Sequence, residues 1–104
     1  MLRIYTTVLE VLTGLRGVVT EIEVHDRDLG RQLRRAATSV ALNAQEASGS
    51  HGGTRRERYR SALGSAREVG ACLDAAVALG YVKSVDAGLV DRLDHVRAVL
   101  AKMT

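Results

Sequence analysis

In the first quarter of the chain, Ile4, Val8, Val11, Leu15, Val18 and Ile22 recur at alternating spacings of four and three residues. That period puts them on one face of an α-helix and scatters them over both faces of a strand. No proline occurs in the 104 residues to interrupt it. The spacing predicts a helix from about Ile4 to Val24. Tyr5, Leu9, Leu12 and Val19 widen its apolar stripe to nearly half the circumference, more than a small bundle needs to bury, and the surplus predicts a subunit interface. Gly14 and Gly17 weaken this helix intrinsically, which marks them as candidate points of close helix approach.

The same period returns three times. A second helix is predicted from Asp28 to Ser48, with Asp26 or Asp28 as N-cap. The stretch "GSHGG", Gly49 to Gly53, reads as a flexible loop. A third helix is predicted to open at Thr54, where "TRRE" fits a capping box with Glu57 reaching back. Its stripe is Tyr59, Leu63, Ala66, Gly70, Leu73 and Val77, with Ala62, Val69 and Ala76 beside it, and Gly80 supplies the stop. Ser84 or Asp86 caps a fourth helix whose seam is Leu89, Leu93, Val96, Leu100 and Met103, and Lys102 suits the dipole of its last turn. Four amphipathic helices with short connections predict one all-α domain over residues 1–104. The predicted form is an antiparallel up-down-up-down four-helix bundle with shallow crossings. Three tyrosines are the only aromatics, so the core must be aliphatic and alanine-rich.

Cys72 is the single cysteine, which excludes an internal disulfide and predicts a reducing, cytoplasmic setting. No uncharged apolar run is long enough to span a bilayer, and Arg3 and Glu10 argue against a signal peptide. The formal net charge is +3, unevenly spread. Residues 26–70 hold nine arginines and no lysine against five acids. Arginine favours bidentate phosphate contacts, although a solvated surface in an arginine-rich proteome gives the same excess.

The centre of the chain, "RQLRRAATSVALNAQEA", carries a polar strip. On a helical wheel Gln32, Asn43, Glu46 and Ser50 fall within about 40° of Ser39. Leu29, Leu33, Val40, Ala44 and Ala47 centre about 110° to one side; Arg27, Arg31 and Arg34 centre about 110° to the other. Arg35 leans toward the strip and can reach Glu46 only across helices. On the third helix Ser65, Glu68 and Cys72 make a matching strip. Facing strips of this kind predict a network of Gln32, Ser39, Asn43, Glu46, Ser65 and Glu68 whose buried members satisfy one another and set helix register. Cys72, Tyr59 and Tyr81 read as packing residues, Cys72 half-buried and the tyrosines with polar tips.

Catalysis lacks its parts. No histidine shares the edge with Ser39, and no glycine-rich strand-to-helix turn is present. A di-iron bundle needs Glu-x-x-His on two helices, and His25, His51 and His95 are scattered without metal spacing. No enzymatic activity, metal or cofactor is expected.

"DLGRQLRRAATSVALNAQEA" followed by "RRERYRSALGSAREVGACLDAAVALGYV" resembles a bacterial family of four-helix-bundle proteins encoded by intervening sequences of large-subunit ribosomal RNA genes. The matching positions are Gln32 to Ala36, Ser39, Asn43, Glu46, Ser65, Glu68 and the "LGY" ending at Tyr81. Two departures are Ala47 where the family often has glycine, and a loop, "SGSHGGT", without the family's lysine-rich run. The resemblance implies a four-helix bundle assembled as a homopentameric ring. The accessory variability determinant proteins of diversity-generating retroelements are related; they form similar pentamers and bind a reverse transcriptase and nucleic acid.

Two functional readings follow, with an enzyme as a remote third. The first is a nucleic-acid-binding or accessory oligomer, RNA or DNA lying against Arg27, Arg31 and Arg34 on the second helix and Arg56, Arg60 and Arg67 on the third. With no aromatics among these arginines, binding is expected to be salt-sensitive and nearly sequence-blind. The bland alternative is that some of these arginines form intersubunit salt bridges with Glu10, Glu21 or Asp74. The second reading is a scaffolding homo-oligomer that binds a protein partner, resting on the apolar excess of the first helix and the flexible Gly49–Gly53 loop, with the basic ridges incidental. Neither reading involves a membrane.

Overall fold

The computed structural model describes residues 3–104, which form α1 (Arg3–His25), α2 (Arg27–Ser48), α3 (Gly52–Ala78) and α4 (Ala87–Lys102). There is no strand among the described residues. Each helix packs on two neighbours, α1 and α3 each against both α2 and α4, in a body of 43 × 24 × 18 Å. Contacts between neighbours run in opposite order along the chain. Going up α2, Gln32, Ser39 and Glu46 meet Glu68, Ser65 and Arg58 going down α3. Likewise Glu10 meets Arg92, and Gly14 meets Leu89. The four helices are therefore an antiparallel bundle.

The turns follow from local chemistry. Asp26 alone separates α1 from α2. Its backbone N–H donates to the Ile22 carbonyl at 2.8 Å, and its Oδ1 accepts from the Leu29 N–H at 2.9 Å, capping α2. At the end of α3, Gly80 takes a φ of +78°, the Gly80 N–H donates to Val77 and the Tyr81 N–H to Ala76. This double closure satisfies carbonyls that the helix end leaves free. Asp86, rather than Ser84, caps α4 through the Leu89 N–H.

The junction between α2 and α3 departs from the sequence expectation. Gly52, with φ +56°, turns the chain into α3 two residues ahead of Thr54, so only Gly49, Ser50 and His51 lie outside a helix. His51 is the N-cap and makes no side-chain cap bond. Thr54 is already inside the first turn, and Glu57 accepts instead from Arg60 at 3.1 Å; the capping box does not form.

The core consists of aliphatic side chains and alanines around Tyr59. Val8, Ile22, Leu33, Val69, Leu89, Val96 and Leu100 are almost solvent-free, and Ala36, Ala37, Ala44, Ala62, Ala66 and Ala76 fill the narrow space between helices. Small residues there let the backbones approach and keep packing dense. A Cβ on Gly14 would lie 3.0 Å from Leu89 Cδ1, so α1 and α4 do come close at this point. Gly17 faces open space and marks no approach.

Other positions shift from expectation. Val19, not Val18, is the buried member of the α1 stripe, because a straight helix drifts from a strict seven-residue repeat. Val77 is 40% exposed instead of lying in the α3 core. Cys72 is fully buried, not half-buried. The apolar surplus on α1 is smaller than predicted: Tyr5, Leu12 and Val18 pack against the chain's own core, leaving Leu9 and Val24 exposed. No helix of the described residues is long and apolar enough to cross a membrane.

Candidate nucleic-acid interface

The polar strips of α2 and α3 meet along the seam between them. At its centre the Ser39 and Ser65 hydroxyls lie 2.8 Å apart. Asn43 Nδ2 donates to the Ser39 carbonyl at 3.0 Å and to Ser39 Oγ at 3.1 Å. On one side Gln32 Nε2 donates to Glu68 Oε2 over a long 3.5 Å. On the other, Arg58 pairs with Glu46 at 3.1 Å. Only Ser39, Asn43 and Ser65 are half-buried; Gln32, Glu46 and Glu68 are exposed. The structure thus joins the six residues into three separate contacts on the border of the core. No polar or charged residue is fully buried as a whole among the described residues. The hydroxyl of Tyr59 is the exception at the level of one atom: it is buried without a hydrogen-bond partner.

Outside this seam the two helices form an open groove of about 540 Å³, lined by Asp28, Arg31, Gln32, Arg35, Ser39, Ser65 and Glu68. Arg35 and Ser39, with Arg34, also line a second depression of about 500 Å³ that carries Leu42, Glu46 and Arg58. The two hollows share Arg35 and Ser39 and follow one another along α2, together making up the trough. From Asp28 to Glu46 it runs about 27 Å at 1.5 Å per residue.

The arginines named from the sequence do not form one surface. Arg31 faces the trough and holds Asp28 at 3.9 Å, both side chains well exposed. Arg34 turns toward α1, where Glu23 accepts both of its terminal nitrogens at 3.2 Å. Gly30 makes room for that pair, since a Cβ there would collide with the Glu23 stem. Arg27 makes no ion pair among the described residues. On α3, Arg56, Arg60 and Arg67 lie about 140° to 180° around the helix from Ser65, the residue that faces α2. The α3 ridge therefore points away from the trough, and Arg60 is engaged by Glu57 at 3.1 Å.

Two arginines that the sequence reading did not select complete the trough. Arg35 has no ion-pair partner among the described residues. Glu46 pairs with Arg58 and not with Arg35. The signal was available for Arg58, which lies about 20° from Ser65 on the helical wheel. Glu10, a candidate for pairing between subunits, meets Arg92 within the chain at 4.0 Å.

Titratable groups elsewhere have structural surroundings. Burial, then the nearby Glu68 charge, pushes the Cys72 thiol up, which keeps it protonated and a poor nucleophile. At the end of the bundle His25 stacks on Tyr81 at 5.4 Å, and the Tyr81 hydroxyl donates to Asp26 Oδ2 at 3.3 Å. Desolvation, the Asp26 charge and that hydrogen bond raise the Tyr81 pKa. No group of three or more His, Cys, Asp or Glu side chains able to hold a metal occurs among the described residues. The guanidinium, amide and hydroxyl donors of the trough suit hydrogen bonding to a phosphate-bearing chain, whereas its carboxylates, Asp28, Glu46 and Glu68, repel phosphate.

The model of the family described as 23S rRNA-intervening sequence protein matches residues 6–102. No curated protein and no solved structure matches the chain.

Proposed function

We propose that this chain, which belongs to the 23S rRNA-intervening sequence protein family, is a non-enzymatic cytoplasmic oligomer that binds nucleic acid through its arginine-rich helix faces. The observation that carries this reading is the convergence of Arg31 and Arg35 on the open trough between α2 and α3. Arg35 has no carboxylate partner among the described residues, and Arg31 has only a long, exposed one. Exposed pairs of that kind hold little energy and yield readily to a phosphate. Arg27, Arg56 and Arg67 supply further positive charge on other faces. Assembly multiplies the effect: a homopentamer would carry five copies of the +3 chain, about +15 in all.

A second reading, a scaffolding homo-oligomer that binds a protein partner such as a reverse transcriptase, draws support from a different surface. Between α3 and α4 lies a hollow of about 470 Å³ lined by Leu73, Val77, Val85, Val90 and Leu93, with Val77 and Val90 exposed. Apolar surface of this kind suits a protein interface.

Binding of a labelled single-stranded RNA and the matched DNA across a salt series separates the readings, with oligomer mass measured in parallel. Wild type is compared with the triple variant Arg31→Gln, Arg35→Gln, Arg58→Gln. Each lost phosphate contact lowers the log–log salt slope by about 0.7 for a single strand. A steep slope that falls in the variant supports the trough as the phosphate site. No binding by wild type at low salt rejects nucleic acid as the ligand and leaves the protein-partner reading.

A further inference from the structure

We propose that the α2–α3 trough selects RNA over DNA, with Glu68 accepting a hydrogen bond from a ribose 2′-hydroxyl while Arg31 and Arg35 hold neighbouring phosphates. This rests on the nucleic-acid reading above and specifies the ligand of the same site.

Glu68 is a carboxylate in the wrong place for plain phosphate binding. Glu68 lies in the groove with Arg31 and Arg35, where its charge repels phosphate and lowers the attraction of the two guanidiniums. It does not neutralise an arginine: Arg58 pairs with Glu46 at 3.1 Å, Arg31 has only the long contact to Asp28 at 3.9 Å, and Glu68 has no ion pair among the described residues. Its one hydrogen bond, from Gln32 at 3.5 Å, is long and solvent-exposed. Most of its acceptor capacity is therefore free and directed into the groove.

A carboxylate needs a donor, and a nucleic-acid backbone offers only one. Phosphates and furanose oxygens accept; the 2′-hydroxyl donates, and DNA lacks it. The bases also carry donors, but nothing in the groove holds a base in place. No aromatic side chain lines it: Tyr5 is on α1, Tyr59 is buried and Tyr81 sits at the end of the bundle. Without stacking, a single strand is held by its backbone. Guanidiniums for phosphate and, beside Asp28 near Arg31, a carboxylate with no ion pair among the described residues for the sugar constitute a backbone reader with a preference for ribose.

The test uses one sequence in three chemistries, RNA, DNA and 2′-O-methyl RNA. Each is titrated into wild type, Glu68→Ala and, as a control for removal of a negative charge elsewhere, Asp91→Ala. Glu68 is exposed within α3 and alanine favours helix, so the variant keeps its fold, which circular dichroism checks. Wild type is expected to bind RNA about tenfold more tightly than DNA, the size of one hydrogen bond to a charged acceptor. The methylated RNA, having lost its donor, is expected to behave like DNA. Glu68→Ala is expected to bind DNA more tightly than wild type does and to bring the RNA-to-DNA ratio close to one. Asp91→Ala leaves the ratio as in wild type. Equal binding of RNA and DNA by wild type, or a preference that survives Glu68→Ala, overturns the ribose assignment and leaves the phosphate reading intact. Failure of wild type to bind any of the three at low salt overturns both.

Discussion

The hydroxyl groups of Ser39 on α2 and Ser65 on α3 are 2.8 Å apart, a direct polar contact between two helices whose buried faces are rich in alanine. Small apolar residues can slide past one another with little change in packing. A pair of hydroxyls bonded to each other, with Asn43 closing on Ser39, cannot. Single Ser39→Ala and Ser65→Ala substitutions are each expected to cost about 1 kcal/mol. Because the two share one bond, the double variant should cost clearly less than the sum. Asn43→Leu should keep helicity while lowering the melting temperature or disturbing the proposed oligomer. Urea titrations and scattering check these outcomes, and unchanged melting with unchanged mass would count against the network.

Tyr59 is expected to improve on losing its oxygen. Its side chain is 1% exposed, and the hydroxyl finds no partner among the described residues. An unsatisfied buried hydroxyl is destabilising, so Tyr59→Phe should raise stability by about 1 kcal/mol. Chemical denaturation measures it; a loss of similar size would show that the hydroxyl is bonded.

Two glycines should respond in opposite directions to alanine. Gly64 lies inside α3 with nothing within 4 Å of an added Cβ, so Gly64→Ala should stabilise by about 1 kcal/mol through helix propensity alone. Gly80 holds φ at +78°, where a Cβ clashes with the backbone. Gly80→Ala should cost about 1 kcal/mol or more and weaken the turn into α4. Thermal melts of the two variants beside wild type decide both.

The contact between Tyr81 and Asp26 makes stability depend on pH at the alkaline end. Tyr81 binds its proton more tightly in the folded chain than in the unfolded one, because of desolvation, the Asp26 charge and their hydrogen bond. Its contribution is fully present below the ordinary tyrosine value of about 10 and is lost as pH rises through the raised folded value. Wild type should therefore lose stability relative to Tyr81→Phe as pH rises above the ordinary tyrosine value of about 10, with no such divergence near neutral pH. Urea midpoints across both ranges are the measurement.

The apolar period alone determined four helices, their order and most of their core, because burial of one face is a local demand that each segment states in its own spacing. The Gly80 stop was legible too, and each cap was narrowed to two residues, Asp26 or Asp28 and Ser84 or Asp86, from which the structure selects Asp26 and Asp86. Thr54 was not, since the chain enters α3 through the backbone freedom of Gly52, and a capping box in sequence does not say which residue the preceding turn delivers to the helix start. The polar strips on α2 and α3 could be read, and so could the side of each helix they occupy. Which arginines are free could not. Arg34 resembled Arg31 in sequence until Gly30 let Glu23 reach it, and Arg56, Arg60 and Arg67 looked equivalent to the α2 ridge until the Ser39–Ser65 contact turned them away. Helix identity follows from neighbours in sequence. The charge surface follows from neighbours in space, set by how the helices rotate against one another, and only the tertiary structure decided that Arg35 borders both the hollow with Glu68 and the one with Arg58.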